Sequence, residues 1–249
     1  MSASRGRRDR DMFARWEARH RQAGGEAAPL IPAATVVVLR DTTGGIETLM
    51  LRRNSKLEFV GGMWVFPGGR IDPEDYGSDQ DGIVEAARRA AVREAAEEAG
   101  QVLDAADLAW FSHWTPPAIT PKRFSTWFFA ARASEHEVSI DGGEIHDADW
   151  MTPADALRRR NALEIELAPP TWVTLETLAA FDDVASALRA LDAADVVFFE
   201  TRISRGAEGP VALWEGDAGY AAGDADAAGH RHRLTMAESG FVYERSGID

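Results

Sequence analysis

A mixed α/β fold, with helices packed on a mixed sheet, is what this 249-residue sequence predicts, and three observations carry that reading. Short β-branched runs bounded by glycine and proline lie on both sides of one long segment rich in Ala, Arg and Glu. Apolar residues make up 45% of the chain, enough to bury a core, and no run approaches the roughly eighteen apolar residues that a membrane-spanning helix needs. No repeat appears at the periods of solenoids or propellers.

Residues 1–25 are arginine-rich, poor in apolar residues and closed by Gly24-Gly25, which predicts a mobile arm with a short helix over 12–21 as its ordered alternative. Val36-Val37-Val38-Leu39 and Thr48-Leu49-Met50-Leu51 flank Asp41-Thr42-Thr43-Gly44-Gly45, the pattern of two strands and a turn. Trp64-Val65-Phe66 reads as a third short strand, stopped by Pro67-Gly68-Gly69. Residues 83–99 predict a helix that ends with Gly100 at the C′ position. Residues 110–115 and 125–131 read as strands, separated by the proline-marked loop 116–121. Another strand near 149–151 precedes a short helix opened by Thr152-Pro153. After Pro169-Pro170, Trp172, Leu175, Leu178, Phe181, Val184, Leu188 and Leu191 recur every three or four residues, an amphipathic stripe that reads as core packing. One strand over 196–203 and a tail rich in Gly, Ala and Asp over 215–229 complete the reading. The chain divides into an arm (1–28), a main domain (29–192) and a C-terminal extension packed on or continuing it (193–249).

Composition removes several kinds of chemistry. With no cysteine, disulfides, thiol nucleophiles and zinc-thiolate sites are excluded, so any metal must bind through oxygen or histidine. Residues 1–23 hold seven arginines against Asp9, Asp11 and Glu17, so the net charge of −14 for the whole chain becomes −18 for the remainder. Such a surface disfavours a nucleic-acid partner. The start lacks the apolar stretch of a secretory signal, which points to a cytoplasmic protein with no membrane partner. No Walker loop, dinucleotide fingerprint or serine-nucleophile spacing is present.

The informative segment is Gly68-Gly69, then Glu85, then Arg93-Glu94-Ala95-Ala96-Glu97-Glu98-Ala99-Gly100. On a helix turning about 100° per residue, Glu97 and Glu98 lie at about −60° and +40° from Glu94, so three carboxylates share a face. Like charges at these spacings repel, and acids near a helix C-terminus oppose its dipole. A cation offsets both penalties. Hard oxygen ligands without Cys or His suit Mg²⁺ or Mn²⁺, ions that keep several waters and engage substrate phosphates. At this chain's own composition, the spacing E-x7-R-E-x2-E-E-x-G arises by chance in about one chain in ten thousand.

These residues resemble the Nudix box of Nudix hydrolases, G-x5-E-x7-R-E-U-x-E-E-x-G-U with U apolar. Gly69, Glu85, Arg93, Glu94, Glu97, Glu98 and Gly100 match its fixed positions. Fifteen residues separate Gly69 from Glu85 where the pattern has five, which places a ten-residue insertion within 72–82, and Gln101 replaces the last apolar position. Taking Asp75 as the first acidic position instead breaks the distance to Arg93. The resemblance implies a Nudix-type α/β/α sandwich in which Glu94 and Glu98 hold the metal and Glu97 is a further ligand or base. It implies structural roles for Glu85, Arg93 and Gly100, with Glu85 and Arg93 holding the loop against the helix. Gly68 and Gly69 let the backbone approach phosphates. The family often draws another ligand or base from a late loop, and Glu144, six residues before Trp150, fits that place.

The implied reaction is attack of water on a diphosphate linkage, giving two phosphate-ended products. Glu97, Glu98 and Glu144 are the candidate catalytic groups. The stretch 49–69 and the interrupted box are similar to the nineteenth mammalian Nudix type and its bacterial relatives, a coenzyme A diphosphatase branch, although Glu58 stands where the branch signature has arginine. That similarity implies coenzyme A or acyl-coenzyme A as the small-molecule nucleotide partner, with ADP-sugars or dinucleotides as the alternative, or a regulator that binds such ligands without turnover. Arg52, Arg53, Lys122 and Arg123, with Lys56, are candidate phosphate binders. His113 and His146 read as structural or polar residues. A homodimer is compatible with this reading.

Overall fold

The computed structural model describes residues 6–54, 62–77, 82–140 and 142–246, with side chains from residue 12 onward. Leu30–Thr42 (β1) is the spine of an eight-stranded mixed sheet. It pairs antiparallel with Gly45–Arg53 (β2) and Gly68–Arg70 (β4), and parallel with Arg123–Arg132 (β6). Trp64–Val65 (β3) and Ile145–Met151 (β7) add to β2. On the other side β6 carries Ala109–Thr115 (β5), and β5 carries Val197–Glu200 (β8) in parallel. The sheet is therefore mixed, as the sequence predicts.

Strand alternation sends β1 residues to two cores. Ala34, Val36 and Val38 meet the helix Ile83–Ala99 (α2), while Val37 and Leu39 join the core on the opposite face. The buried stripe of α2 is Ala86, Ala87, Ala90, Ala91, Ala95 and Ala99, so small side chains bring the helix close to the sheet. Gly100 ends it at φ 67°, a left-handed position that suits glycine, and its N–H bonds Ala96 O. The predicted helix bounds match those observed.

Pro153–Asn161 (α3), Pro169–Leu178 (α4) and Val184–Ala193 (α5) follow in the chain. The stripe read as one helix from Trp172 to Leu191 is two, α4 and α5. Asp183 breaks it by accepting the Ser186 N–H at 2.8 Å, a cap that opens α5. The strand expected over 196–203 also divides. Thr201 closes β8 by donating its N–H to Thr115 O, and Arg202–Arg205 (β9) begins a second sheet.

That second sheet is an antiparallel meander of β9, Pro210–Leu213 (β10), Arg231–Ala237 (β11) and Gly240–Ser246 (β12). The hairpin β11–β12 was not anticipated from sequence. The acidic tail before it is anchored by Asp217, whose fully buried carboxylate takes Arg233 Nε and Nη2 at 2.7 and 2.6 Å. Burial opposes the Asp217 charge, but Arg233 with the His232 and Gly219 amides outweighs it and holds the pKa below its ordinary value.

The arginine-rich start also departs from expectation. Gly6–Gln22 (α1) is a helix, and from residue 12 on it packs Phe13 into the core and pairs Glu17 with Arg205. Met12, Phe13 and Trp16 supply an apolar face too sparse for composition alone to reveal.

Candidate functional site

One cleft of about 780 Å³ collects most of the acidic residues picked from the sequence: Glu94, Glu97, Glu98 and Glu144 all line it. The α2 alanine stripe sets their depth. Glu98 borders the buried side and is 8% exposed, Glu94 is partly buried, and Glu97 stands on the rim. The shared face holds, but its three members differ in solvation.

Glu98 Oε2 accepts the Gly68 N–H at 2.9 Å, tying the end of α2 to β4. Burial nevertheless pushes its carboxyl up to about 7, against that hydrogen bond, and nearby Glu94 adds to the rise. Glu94 is raised as well, first by burial, with Arg93 pulling the other way. Gly68 pairs with Thr35 so closely that a Cβ would stand 2.4 Å from Ala34 O, so no larger residue fits. A Cβ on Gly69 would meet the Glu94 carboxylate at 2.2 Å. The Gly68 N–H is used by Glu98.

Arg93 holds the opposite wall. Its Nε and Nη2 grip both carboxylate oxygens of buried Asp75 at 3.2 and 2.9 Å, and Nη2 also donates to Arg70 O at 3.0 Å. Its Nη1 reaches Glu94 at 2.9 Å and Glu97 at 3.2 Å. The Asp75 hydrogen bonds hold Arg93 above its ordinary pKa. Glu85 lies on the same helix eight residues before Arg93, about 12 Å of rise away, and the acidic partner of Arg93 in the turn is Asp75. Asp75 follows Gly69 after five residues, the box spacing, and sits in the 3₁₀ turn Pro73–Tyr76. The extra residues therefore fall between Asp75 and α2, and 78–81 among them lie outside the described residues.

β7 brings Glu144 to the cleft. Its pairing with β2 shifts register between Arg52 and Arg53, and Asn54 N–H bonds Glu144 O at 2.8 Å. Arg53 Nη2 then meets the Glu144 carboxylate at 3.0 Å. Of the expected phosphate binders, Arg53 and Lys122 line the cleft. Arg52, exposed on the strand residue before Arg53, does not line it. Arg123 does not either: its guanidinium donates to Pro116 O and Ala28 O, fastening the proline loop. Lys56 and Glu58 lie outside the described residues. Arg70, Asp72, Phe124 and Thr126 also line the cleft and were missed, because only tertiary pairing brings strand ends beside α2. His113 packs on Trp127 and bonds Ser125 Oγ at 2.9 Å, with its pKa lowered by burial, and His146 is exposed.

The donor set bears on the metal. Among the described residues no three carboxylates or imidazoles converge tightly enough to hold an ion unaided. Glu94 and Glu98 still present hard oxygens, both penalised as anions, and the Arg93 cation already touches Glu94. These residues fit a hard divalent ion that keeps waters and completes its shell with substrate phosphate.

The NUDIX domain family matches residues 29–171. Among solved structures, a NUDIX hydrolase from Alicyclobacillus acidocaldarius is 26% identical with a TM-score of 0.60, over 68% of this chain and 99% of that one. The NUDIX domain of Shewanella oneidensis NrtR, solved with ADP ribose, is 17% identical with a TM-score of 0.46, over 60% and 86%. A C. elegans Ap4A hydrolase is 23% identical with a TM-score of 0.40, over 60% and 96%. No curated protein matches.

Proposed function

The chain belongs to the NUDIX domain family and is a Nudix hydrolase acting on pyrophosphate bonds, and from that premise we propose that its acidic cleft cleaves the diphosphate of a coenzyme A species. The observation that carries the site is the buried carboxylate of Glu98 beside the partly buried one of Glu94, both facing a cleft with Arg53 and Lys122 on its wall. Glu94 and Glu98 would hold a Mg²⁺ or Mn²⁺ ion, and Glu97 would be a further ligand from the rim. When bound, the ion neutralises charge on the diphosphate and makes water a better nucleophile.

The chain's own residues do the rest. Lys122 and Arg53 bind phosphate oxygens and hold the linkage across the cleft. Glu144, clamped by Arg53 at 3.0 Å, is the group that takes the proton from the attacking water. Arg93 and Asp75 fix α2 against the turn, so the carboxylates keep their spacing. The Gly68 N–H orients Glu98. The products are 3′,5′-ADP and a phosphopantetheine species.

Coenzyme A is favoured by the similarity of 49–69 and the interrupted box to that branch, and by cations able to read an additional 3′-phosphate. With Arg52 and Arg123 off the cleft, and Arg53 and Lys122 on the diphosphate, that reading rests on Arg70, which also lines the cleft. The test compares kcat/KM for coenzyme A and its 3′-dephospho form. Loss of the phosphate should lower kcat/KM about tenfold or more, the worth of one charge-assisted contact. A higher kcat/KM for ADP-ribose or a dinucleotide than for any coenzyme A derivative overturns the substrate while leaving the hydrolase.

A further inference from the structure

A second cavity, of about 480 Å³, adjoins the acidic cleft and shares Thr35, Val65, Phe124 and Thr126 with it. Met12, Phe13, Arg15 and Trp16 of α1 supply one wall of this chamber, and the proline loop and the second sheet supply others. We propose that α1 is a hinged lid, which swings away to open the chamber while both sheets stay folded.

The chain has a joint where such a lid needs one. The Gly25 N–H closes α1 on His20 O at 2.9 Å, with Gly24 and Gly25 at φ 80° and 77°, and a Cβ on either would find nothing within 4 Å. The next tether is Ala28, whose carbonyl accepts Arg123 Nη1 at 3.2 Å. Among the described residues no hydrogen bond holds Glu26 or Ala27 in between, and Gly24, Gly25 and Glu26 are exposed. Residues so placed can absorb a rotation of the helix, while Arg123 keeps it from reaching β1.

The seat of the lid is loose. Phe13, 7% exposed, anchors α1, yet it lines both the chamber and a further cavity of about 280 Å³ between α1 and the β9–β10 turn. A close-packed helix leaves no such voids against its anchor, because each one removes the dispersion contacts of its lining. Phe13 also meets Trp16 edge-on at 5.5 Å, a contact within α1 that moves with the helix. The ion pair from Glu17 to the second sheet leaves Arg205 77% exposed, and exposed pairs contribute little. With α1 swung out, the chamber opens along that wall and the adjoining cleft gains a second mouth.

The sequence has no cysteine, so single cysteines in the full chain report the motion by their rate of alkylation with N-ethylmaleimide. Met236, 3% exposed, is on the chamber wall in β11, and Val38, fully buried, lies between β1 and α2. When opening and closing are fast, the alkylation rate follows the open population. Met236→Cys should react at least about a hundredfold faster than Val38→Cys, since a local opening lies well below global unfolding in free energy. Its rate should be nearly flat in low urea, because lifting one helix exposes little surface, whereas the Val38→Cys rate should climb. Phe13→Ala should speed Met236→Cys at least about tenfold, and Trp16→Ala is the second variant should the first not fold. Leu108→Ala, in the core against α2, should speed Val38→Cys about thirtyfold or more and leave Met236→Cys unchanged. A Met236→Cys rate that follows urea and Leu108→Ala as Val38→Cys does, or one indifferent to both α1 variants, overturns the lid. No substrate enters the test, so its outcome is independent of the diphosphatase reading.

Discussion

The acidic cleft and the mostly apolar chamber of about 480 Å³ beside it, between α1, the proline loop and the second sheet, share four wall residues yet are built in opposite ways. The cleft takes three of its carboxylates and Arg93 from one helical stretch, 93–98, backed by two glycines and the Asp75 turn, and only its remaining charges from other elements. The chamber gathers side chains from residue 12 to residue 241, none of which forms a motif. A site made by one helix can be read from spacing, whereas a site made by packing distant segments cannot. The two also differ energetically: in the cleft, burial works against charge, while the chamber wall is made mostly of apolar side chains, for which burial is favourable.

The sharpest way to break this contrast is to remove charge from the cleft alone. Glu98→Gln and Glu94→Gln should each lower kcat by about a hundredfold or more at saturating Mg²⁺, since electrostatic stabilisation is lost while volume is kept. Circular dichroism should show the fold retained.

The Arg93 wall gives the next largest effect. Asp75→Asn leaves a guanidinium short of its buried partner and should destabilise by about 2–3 kcal/mol in urea unfolding. Glu85→Gln, at an exposed position, should stay within about 0.5 kcal/mol. Equal losses would give Glu85 the structural weight that motif matching assigns it.

Neighbouring cations sharpen the contrast further. Lys122→Gln should raise KM several-fold, because it lines the cleft. Arg123→Gln should leave KM unchanged but cost about 1–2 kcal/mol of stability, since it frees the Pro116 and Ala28 carbonyls. A matched rise in KM for both would place Arg123 on substrate.

Proton linkage gives the smallest effect. Glu98 has its pKa raised on folding from 4.5 to about 7, so its contribution to stability is complete below pH 4.5 and is lost as pH rises through about 7. In EDTA, Tm of the parent should therefore fall between pH 5 and 8 more steeply than that of Glu98→Gln. Added Mg²⁺ should flatten the parent's slope by replacing the proton. Parallel slopes for parent and variant in EDTA would show that Glu98 is not held protonated by the fold.

What was legible followed the same division. The α2 bounds, the Gly100 stop, the grouping of Glu94, Glu97 and Glu98, and the arrival of Glu144 at one cleft were readable because each depends on helical spacing or on a loop beside a strand. Asp75 was passed over because the box was aligned on chain distance, whereas a 3₁₀ turn places Asp75 on Arg93 irrespective of how many residues follow. Arg52 and Arg123 were assigned by proximity along the chain; the exposed Arg52 lies off the cleft and Arg123 is spent on carbonyls. The division at Thr201 and the β11–β12 hairpin depend on a strand pairing and a buried ion pair whose partners are distant in sequence, whereas the α4–α5 break rests on the local Asp183 cap, which the continuous apolar stripe masked.

The central claim, a divalent-ion-dependent diphosphatase acting on a coenzyme A species, is tested most directly by its products. Coenzyme A is incubated with the full chain and Mg²⁺ or Mn²⁺, with an EDTA control, and the mixture is resolved by mass. The account predicts 3′,5′-ADP and 4′-phosphopantetheine in equal amounts with either ion and neither product in EDTA. Intact coenzyme A in every reaction, or cleavage that persists undiminished in EDTA, would contradict it.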